Sequence, residues 1–327
     1  MTKKQVYEEL EKVGMEVDNM INFDLIKGAI YGGAVGDALG VPVECRTRTD
    51  VRNTSFIKIE KELSFFSDDT SLTLASMDAL VKSDFKRETF MNNFVDWLYY
   101  GAYTTLGYAY GYGKGTKASI DKFIKTNNVS NCGNDSFENN GNGALMRITP
   151  VCLALLTKEY DIDTMITILS DITKLTHANE ISILGNVIYF IFFKTLIETK
   201  NKYIAYDVMR NFDYSKWFDE KTIKNYDKIL NGNCNIEPSD TRNFFVVNTL
   251  ECVIFCVMNN NNFKNSIECA IKLGYDTDTV AAITGNITGA LYGYKSIPKS
   301  WLKNLEGKKL LDINIKRFNY KFVKERD

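Results

Sequence analysis

Two segments of this 327-residue chain carry glycine or alanine at every fourth position. The positions are Gly28, Gly32, Gly36 and Gly40 in the first segment, and Ala281, Gly285, Gly289 and Gly293 in the second. Residues four apart lie on one side of an α-helix, so each set would form a bare ridge. Glycine inside a helix costs about 1 kcal/mol relative to alanine, which close contact between two helix backbones would explain. We therefore expect two closely packed helices.

Small residues at this spacing also occur in membrane helices, but acidic residues argue against that interpretation here. Asp37 and Glu44 interrupt the first apolar run, and Asp276 and Asp278 open the second. Charged side chains are costly inside a bilayer. We expect these helices to pack inside a protein core, and we expect no membrane association.

Proline is scarce, and its distribution favours helices. The chain has only 4 prolines, and residues 165–199 and 244–259 contain none. No solenoid-length repeat and no linker rich in proline and serine divides the chain, while Asn-rich stretches at 127–142 and 259–262 indicate loops. The sequence predicts an all-α fold with one large helical domain, residues 23–327.

The first residues form a separate pattern. Apolar side chains recur at steps of three and four, which predicts an amphipathic helix as an N-terminal extension over residues 1–22. The positions are Val6, Leu10, Val13, Val17 and Ile21.

Composition limits the function classes. Lys and Arg number 40 against 41 Asp and Glu, so no strong global field attracts nucleic acid, and we expect none to bind. The 7 cysteines are scattered and lack paired zinc-site spacing, so we interpret them as reduced thiols. The N-terminal segment is charged throughout and has no apolar signal region, which predicts a cytoplasmic protein.

Two acidic clusters are the candidate functional residues. Ser67, Asp68 and Asp69 precede an apolar periodic run, and Asp276, Asp278 and Thr279 stand at the start of the second glycine-ridged helix. A single acid at such a place is usually a helix cap. Each cluster, however, offers two carboxylates and a hydroxyl, the hard oxygen ligands that Mg²⁺ or Mn²⁺ prefers. If folding brings the clusters together, their negative charge favours a bound cation.

Two other motifs do not fit the second cluster. The segment DTDTV resembles the nucleophile motif of haloacid-dehalogenase phosphatases, but that motif follows a buried strand and precedes a full α/β domain. Neither is predicted here. An EF-hand is excluded because Ile287, and not a bidentate glutamate, occupies the twelfth position counted from Asp276.

Six motifs in order resemble the ADP-ribosylglycohydrolase superfamily, which includes dinitrogenase reductase activating glycohydrolases and hydrolases of ADP-ribosylserine and ADP-ribosylarginine. They are GAIYGGAVGDALGVPVE (28–44), FSDDTSLT (66–73), GNGALMRITP (141–150), THANEISI (176–183), NFFVVNTLE (243–251) and GYDTDTVAAITGNITGALYG (274–293). The resemblance implies an all-α orthogonal helical domain with a binuclear metal cleft.

The resemblance also assigns roles to residues of this chain. The ligands of two Mg²⁺ ions, or of Mn²⁺, would be Ser67, Asp68, Asp69, Asp276, Asp278 and Thr279. Glu44 would lie near the scissile bond and act as a general acid or base, with Asp68 and Asp278 as further catalytic candidates. Asp68 would also contact substrate, as would a phosphate loop and a histidine comprising Glu138, Asn139, Asn140, Gly141, Asn142, Gly143 and His177.

One departure from the pattern concerns the acceptor. Many relatives carry an acid in the stretch that corresponds to residues 108–116, where this chain has Gly111. That acid lies on the acceptor side of the cleft. A preference for a cationic arginine acceptor therefore does not follow from the resemblance.

The expected reaction is cleavage of the bond between the anomeric carbon of ADP-ribose and an N- or O-linked acceptor, through an oxocarbenium-like state. The expected partner is an ADP-ribose conjugate, in particular an ADP-ribosylated protein. The sequence does not fix the oligomeric state, for which a monomer is the working expectation. Two alternatives remain open: a catalytically silent ADP-ribose-binding relative, and a metal-dependent phosphohydrolase that uses the same acids.

Overall fold

The computed structural model describes residues 21–239 and 244–324 of the chain, and in these ranges it is helical. The helices, labelled in chain order, are α1 (Phe23–Gly40), α2 (Arg48–Asn53), α3 (Phe56–Glu62), α4 (Asp68–Ser83), α5 (Arg87–Tyr100), α6 (Lys114–Thr126), α7 (Thr149–Leu155), α8 (Ile162–Thr173), α9 (Glu180–Thr199), α10 (Lys202–Asn211), α11 (Glu220–Lys224), α12 (Asp227–Leu230), α13 (Val246–Met258), α14 (Phe263–Lys272), α15 (Thr277–Tyr292), α16 (Lys299–Asn304) and α17 (Lys308–Phe322).

Extended pairing within the described ranges is limited to two isolated bridges, Asn134 with His177 and Gly141 with Phe245. The all-α prediction is therefore confirmed. The N-terminal extension predicted over residues 1–22 lies outside the described residues, apart from Ile21, which is buried, and Asn22, which caps α1. The seven cysteines are all free thiols.

Helices α1 and α15 pack along each other through their small residues. A Cβ atom at Gly32 would lie 2.2 Å from the carbonyl oxygen of Gly285, and one at Gly36 would lie 2.1 Å from that of Ala281. Both distances are far below van der Waals contact, so only a hydrogen can occupy these positions. The expected close packing is confirmed, although Gly293 is not part of it, because α15 ends at Tyr292 and Gly293 has a φ of +80°.

The antiparallel direction of this pair determines where the candidate site lies. Gly28 faces Gly289 at one end of the pair, and Gly40 faces Asp278 at the other. The end of α1 therefore meets the beginning of α15, and the hydroxyl of Thr277 donates to the carbonyl of Gly40 at 2.8 Å. Glu44, four residues beyond α1, is consequently carried to the acidic start of α15.

The longest apolar helix belongs to the protein interior. Helix α9 is long and apolar enough to cross a bilayer by length and composition alone, but 89% of its apolar window is buried inside the protein. Its side chains pack against α8, α10 and α13. It joins a core of buried residues that extends from Ile21 to Phe322 and includes α1, α4 and α15.

Candidate active site

A cleft of about 500 Å³ brings most of the residues selected from sequence together. This volume is typical of small-molecule sites. Eleven of the selected residues line it: Glu44, Asp68, Glu138, Asn139, Gly141, Asn142, Gly143, His177, Asp276, Asp278 and Thr279. Ser67, Asp69 and Asn140 are buried behind this surface.

The first acidic cluster is held in place by its own helix cap. Ser67 is the N-cap of α4, and its hydroxyl oxygen accepts from the backbone N–H of Asp69 at 3.3 Å. The same hydroxyl donates to Oδ2 of Asp69 at 3.0 Å. Helix capping therefore explains the role of Ser67. It does not use the carboxylate oxygens of Asp68 or Oδ1 of Asp69, which remain available to a ligand.

Asp37 also belongs to the site, although sequence reasoning treated it only as an interruption of an apolar run. Its Oδ1 accepts from the backbone N–H of Ser67 at 2.9 Å. Its Oδ2 accepts from the N–H of Thr70 at 3.0 Å and from the hydroxyl of Thr70 at 2.6 Å. A fully buried carboxylate on α1 thus fixes the start of α4, which carries Asp68 and Asp69.

The second cluster lies against the first. Asp276 occupies the N-cap position of α15, and Asp278 lies in its first turn. Thr279 donates its hydroxyl to Oδ2 of Asp69 at 3.4 Å, which joins two chain segments 210 residues apart. Carboxylate oxygens of Asp37, Asp69 and Asp278 all lie within 4.8 Å of one another.

The acids repel one another at this separation. Burial raises the pKa of Asp68, Asp69, Asp276 and Asp278, and negative neighbours raise each pKa further. Asp37 is the strongest such neighbour of Asp68 and Asp69, whereas Asp69 is that of Asp278. The charged groups with the largest effects on these pKa values are all acids, so the four carboxyl groups destabilise one another in the ionised form.

Two oxygens of the cluster are suited to a cation. Oδ1 of Asp69 and Oδ1 of Asp278 are buried and have no hydrogen-bond partner among the described residues. A buried polar atom without a partner is costly, and a carboxylate oxygen can be satisfied by a donor or by a metal ion. Asp37 is a poor ligand by comparison, because both of its oxygens already accept hydrogen bonds. The donor set therefore fits a hard divalent cation.

Glu44 lies at the mouth of the cleft, half-buried beside Asp68 and Asp276. Its position depends on the chain around Tyr275, whose φ is +61°. The N–H of Cys45 donates to the carbonyl of Tyr275, and the N–H of Tyr275 donates to the carbonyl of Arg46, both at 2.7 Å. Burial raises the pKa of Glu44, and the charge of Asp37 raises it further.

The loop of residues 138–143 forms the opposite wall, and its asparagines mostly stabilise it. Asn139 donates to the carbonyls of Asn134 and Thr176, both at 3.1 Å. The side-chain oxygen of Asn140 accepts from the N–H and the hydroxyl of Ser182. Asn142 connects the loop to the acids, since its amide donates to Oδ2 of Asp276 and, at 2.9 Å, to the hydroxyl of Thr249.

Sequence reasoning did not select the start of α6, which also lines the cleft. Residues 113–116 face the loop of residues 138–143, and Gly113 caps α6 without any side-chain hydrogen bond. The first backbone N–H groups of a helix lack partners within that helix and attract anions. Phe244 is a further unpredicted lining residue.

Gly111 has a steric reason to be glycine. Its φ is +82°, and a Cβ atom there would lie 2.8 Å from Oδ1 of Asp68. A side chain at this position would push against a candidate ligand carboxylate. An acid at this position would in addition place a second negative charge beside Asp68.

Comparison with known proteins gives consistent results. The family model described as ADP-ribosylglycohydrolase matches residues 18–326. The chain is 27% identical over 297 residues to the ADP-ribosylarginine hydrolase Tri1 of Serratia proteamaculans, with 87% of this chain and 76% of that protein covered. It is 23% identical over 303 residues to the ADP-ribosyl-[dinitrogen reductase] glycohydrolase of Rhodospirillum rubrum, with 87% and 91% covered.

Two further similarities concern a short segment and the fold. The human ADP-ribosylhydrolase ARH3 is 42% identical over 53 residues, which are 16% of this chain and 15% of that protein. A solved structure described as an ADP-ribosylglycohydrolase-related protein complex superposes with a TM-score of 0.75 at 21% identity. The superposition covers 92% of this chain and 98% of that one, so the two share a fold.

Proposed function

Because the chain belongs to the ADP-ribosylglycohydrolase family, we propose that it hydrolyses the glycosidic bond between the anomeric carbon of ADP-ribose and an N- or O-linked acceptor. We further propose that the reaction requires divalent cations, two Mg²⁺ or Mn²⁺ ions, held by Ser67, Asp68, Asp69, Asp276, Asp278 and Thr279. The substrate is an ADP-ribose conjugate, with an ADP-ribosylated protein as the leading candidate.

One observation carries the proposal. Acids from two distant segments meet in one cleft, where Oδ1 of Asp69 and Oδ1 of Asp278 lack partners among the described residues. Caps of separate helices would not need to share a site or to leave buried oxygens without partners. The relatives named for ADP-ribosyl hydrolysis support the same reaction for this cleft.

The remaining walls suit the other parts of such a substrate. The backbone N–H groups of Gly141 and Gly143 and those at the uncapped start of α6 are suited to the phosphates, whereas the N–H of Asn142 donates to the carbonyl of Phe244 at 3.1 Å. Phe244 and Tyr112 supply apolar surface in the same cleft. A bound cation would polarise ribose hydroxyls and lower the pKa of an attacking water.

Proton transfer is assigned to the carboxylates at the cleft mouth. The bond breaks as positive charge develops on the ribose, so the leaving atom needs a proton or the attacking water must lose one. Glu44 reaches the cleft surface beside Asp68 and Asp276 and is the candidate for this transfer. Asp68 and Asp278 hold negative charge next to the position where the sugar becomes positive.

The test is a turnover panel. ADP-ribose release is measured from ADP-ribosylated serine, ADP-ribosylated arginine and O-acetyl-ADP-ribose, with Mg²⁺, with Mn²⁺ and with chelator. The Asp276→Asn/Asp278→Asn double variant should lose at least about 100-fold in rate, because loss of a residue that only orients a metal ligand already costs about 10- to 100-fold and this variant removes two ligands. Glu44→Gln should lose about 100-fold or more, the usual contribution of a general acid or base.

A matched control separates the site from helix capping in general. Asp161 caps α8 by accepting from the N–H of Thr164 at 2.8 Å, and it is exposed. Asp161→Asn should turn over substrate like the wild type. Full activity in chelator or in the double Asn variant would refute metal dependence. Release of AMP or inorganic phosphate in place of intact ADP-ribose would refute the glycohydrolase and support a phosphohydrolase.

A further inference from the structure

The one histidine of the chain, His177, is linked to a buried arginine through the hydroxyl of its neighbour. Nη2 of Arg147 donates to Oγ1 of Thr176 at 2.7 Å, and the same Oγ1 lies 2.7 Å from Nδ1 of His177. The three side chains are all at least 96% buried, since Arg147 is 1%, Thr176 0% and His177 4% exposed. The opposite ring atom, Nε2, faces the glycines of the cleft loop, 3.6 Å from a Cβ atom built on Gly141.

The direction of the hydrogen bonds follows from the number of protons. A guanidinium only donates, so Oγ1 of Thr176 accepts from Arg147. The single hydroxyl proton of Thr176 then remains available for donation. Within the described residues, the other hydrogen-bond partner of this hydroxyl is Nδ1 of His177. If Nδ1 itself carried a proton, the hydroxyl proton would be buried without an acceptor, which is costly. Nδ1 therefore accepts, and the proton of the neutral ring resides on Nε2.

The guanidinium of Arg147 is held against an aromatic ring and carries a charge that acts on His177. Its guanidinium carbon lies 4.7 Å from the centroid of the Phe94 ring, which fixes the plane of the group. Its Nε and Nη1 are buried and have no hydrogen-bond partner, so the hydroxyl of Thr176 is the one side-chain acceptor of this guanidinium among the described residues. Burial, and then the charge of Arg147, lower the pKa of His177 to about 3, so the ring is neutral at physiological pH.

The backbone around Thr176 is held from both sides. Its carbonyl accepts from the hydroxyl of Ser119 and from the side-chain amide of Asn139, each at 3.1 Å. The N–H of His177 donates to the carbonyl of Thr173 at 3.0 Å. The imidazole is thus fixed in orientation as well as in tautomer.

We propose that Arg147 and Thr176 are positioning residues that lock His177 as a neutral Nε2–H donor directed into the cleft. The acceptor is an oxygen of the bound nucleoside diphosphate sugar, an assignment that rests on the proposed function. A neutral donor of fixed direction recognises such an oxygen without adding a positive charge near the cations' site. The hydrogen-bonded series Arg147, Thr176 and His177 therefore contributes to ligand binding and not to proton transfer.

The tautomer is measured directly by nitrogen NMR on protein labelled with ¹⁵N-histidine, in which a single residue gives the signals. At neutral pH without ligand, the wild type should show a pyridine-type Nδ1 and a pyrrole-type Nε2. Thr176→Val, which keeps the side-chain shape and removes the hydroxyl, should shift the population toward the Nδ1–H form. Thr176→Ser should restore the wild-type spectrum.

Ligand binding is the second readout. ADP-ribose affinity, measured by calorimetry, should fall about 10-fold in Thr176→Val, the size expected for one hydrogen bond, and should return in Thr176→Ser. A wild-type spectrum of the Nδ1–H form or of the imidazolium overturns the proposal, even if Thr176→Val does not fold. An altered tautomer with unchanged affinity overturns the assigned acceptor. Because the spectrum is recorded without ligand, a wild type that lacks turnover would refute the glycohydrolase function and leave this result standing.

Discussion

The carboxylate of Asp37 accepts both the backbone N–H and the hydroxyl of Thr70, at 3.0 and 2.6 Å. Asp37 belongs to α1, and Thr70 follows the acids at the start of α4. This contact connects the glycine-packed helix pair to the start of α4, which carries Asp68 and Asp69. The geometry of the candidate metal site therefore depends on a residue that is itself a poor ligand.

Asp37→Asn should weaken cation binding without removing any proposed ligand. An amide has one acceptor oxygen, so its NH₂ group would face the N–H of either Ser67 or Thr70. We expect affinity for Mn²⁺, measured by calorimetry, to fall about 10- to 100-fold, as for other residues that orient metal ligands. Turnover at low cation concentration should fall in parallel.

Asp78→Asn is the matched control for that variant. Asp78 is a buried acid of α4, the helix that begins with Asp68 and Asp69, but it pairs with Lys82, Tyr103 and Arg317 and does not line the cleft. It should keep the wild-type Mn²⁺ affinity. If Asp37→Asn and Asp78→Asn bind Mn²⁺ equally well, Asp37 does not position the site.

Cation removal should destabilise the fold, because the acids then repel one another. A cation at 100 times its Kd stabilises a folded protein by about 2.7 kcal/mol, which for a chain of this size corresponds to a Tm increase of about 4 °C. We expect this increase when Mg²⁺ or Mn²⁺ is added to chelator-treated wild type, as measured by differential scanning calorimetry.

The Asp276→Asn/Asp278→Asn variant should gain stability in chelator and lose the Tm response to cation. Neutral amides remove the repulsion, so in chelator this variant should be more stable than the wild type, and added cation should not raise its Tm. Asp161→Asn, which lies outside the cleft, should respond to cation like the wild type. A variant less stable than the wild type in chelator would show that the buried acids are satisfied without a cation.

The close contact between α1 and α15 predicts that alanine in place of Gly36 destabilises the fold. Alanine is a better helix former than glycine by about 1 kcal/mol, so Gly36→Ala would stabilise an isolated α1. In this structure the new Cβ atom would lie 2.1 Å from the carbonyl oxygen of Ala281, a backbone atom that cannot move alone. We expect Gly36→Ala to lower the free energy of unfolding by about 3 kcal/mol, as measured by urea denaturation.

Gly113→Ala is the control, since a Cβ atom there meets nothing within 4 Å. Its unfolding free energy should stay within about 1 kcal/mol of the wild type. A Gly36→Ala variant as stable as the wild type would mean that α1 and α15 are not in backbone contact.

The sequence predicted those features whose cause lies within a few residues. Glycine at every fourth position predicts a bare helix face, and that face is the contact between α1 and α15. Ser67 before an apolar run predicts a helix start, and Ser67 caps α4. In both cases the relevant physics, steric volume or capping, acts locally.

Features that depend on distant partners could not be predicted in this way. Asp37 bonds to residues 30 and 33 positions later, so in sequence it only interrupts an apolar run. The start of α6 faces the Asn-rich loop only after folding. The link from Arg147 to Thr176 spans 29 positions, and neither residue shows a local pattern that indicates it.

Asp78 should make stability fall in acid. Burial acts to raise its pKa, but hydrogen bonds from Lys82, Tyr103 and Arg317 outweigh burial and hold the pKa below its ordinary value. A folded pKa below the unfolded one contributes stability above the unfolded value of about 3.9. That contribution disappears as the pH falls through the lower folded value.

The comparison of wild type with Asp78→Asn isolates this effect. Removing the charge from a buried acid with two cationic partners should cost about 2 kcal/mol at pH 7, a value reduced because Lys82 and Arg317 are both about half exposed. In urea denaturation the difference should stay constant from pH 7 to about pH 5 and shrink only below about pH 4. The reason is that protonated Asp78, like asparagine, carries no charge for its partners to stabilise. A difference that shrinks already between pH 7 and pH 5 would mean that the pKa of Asp78 is raised and that burial outweighs its three hydrogen bonds.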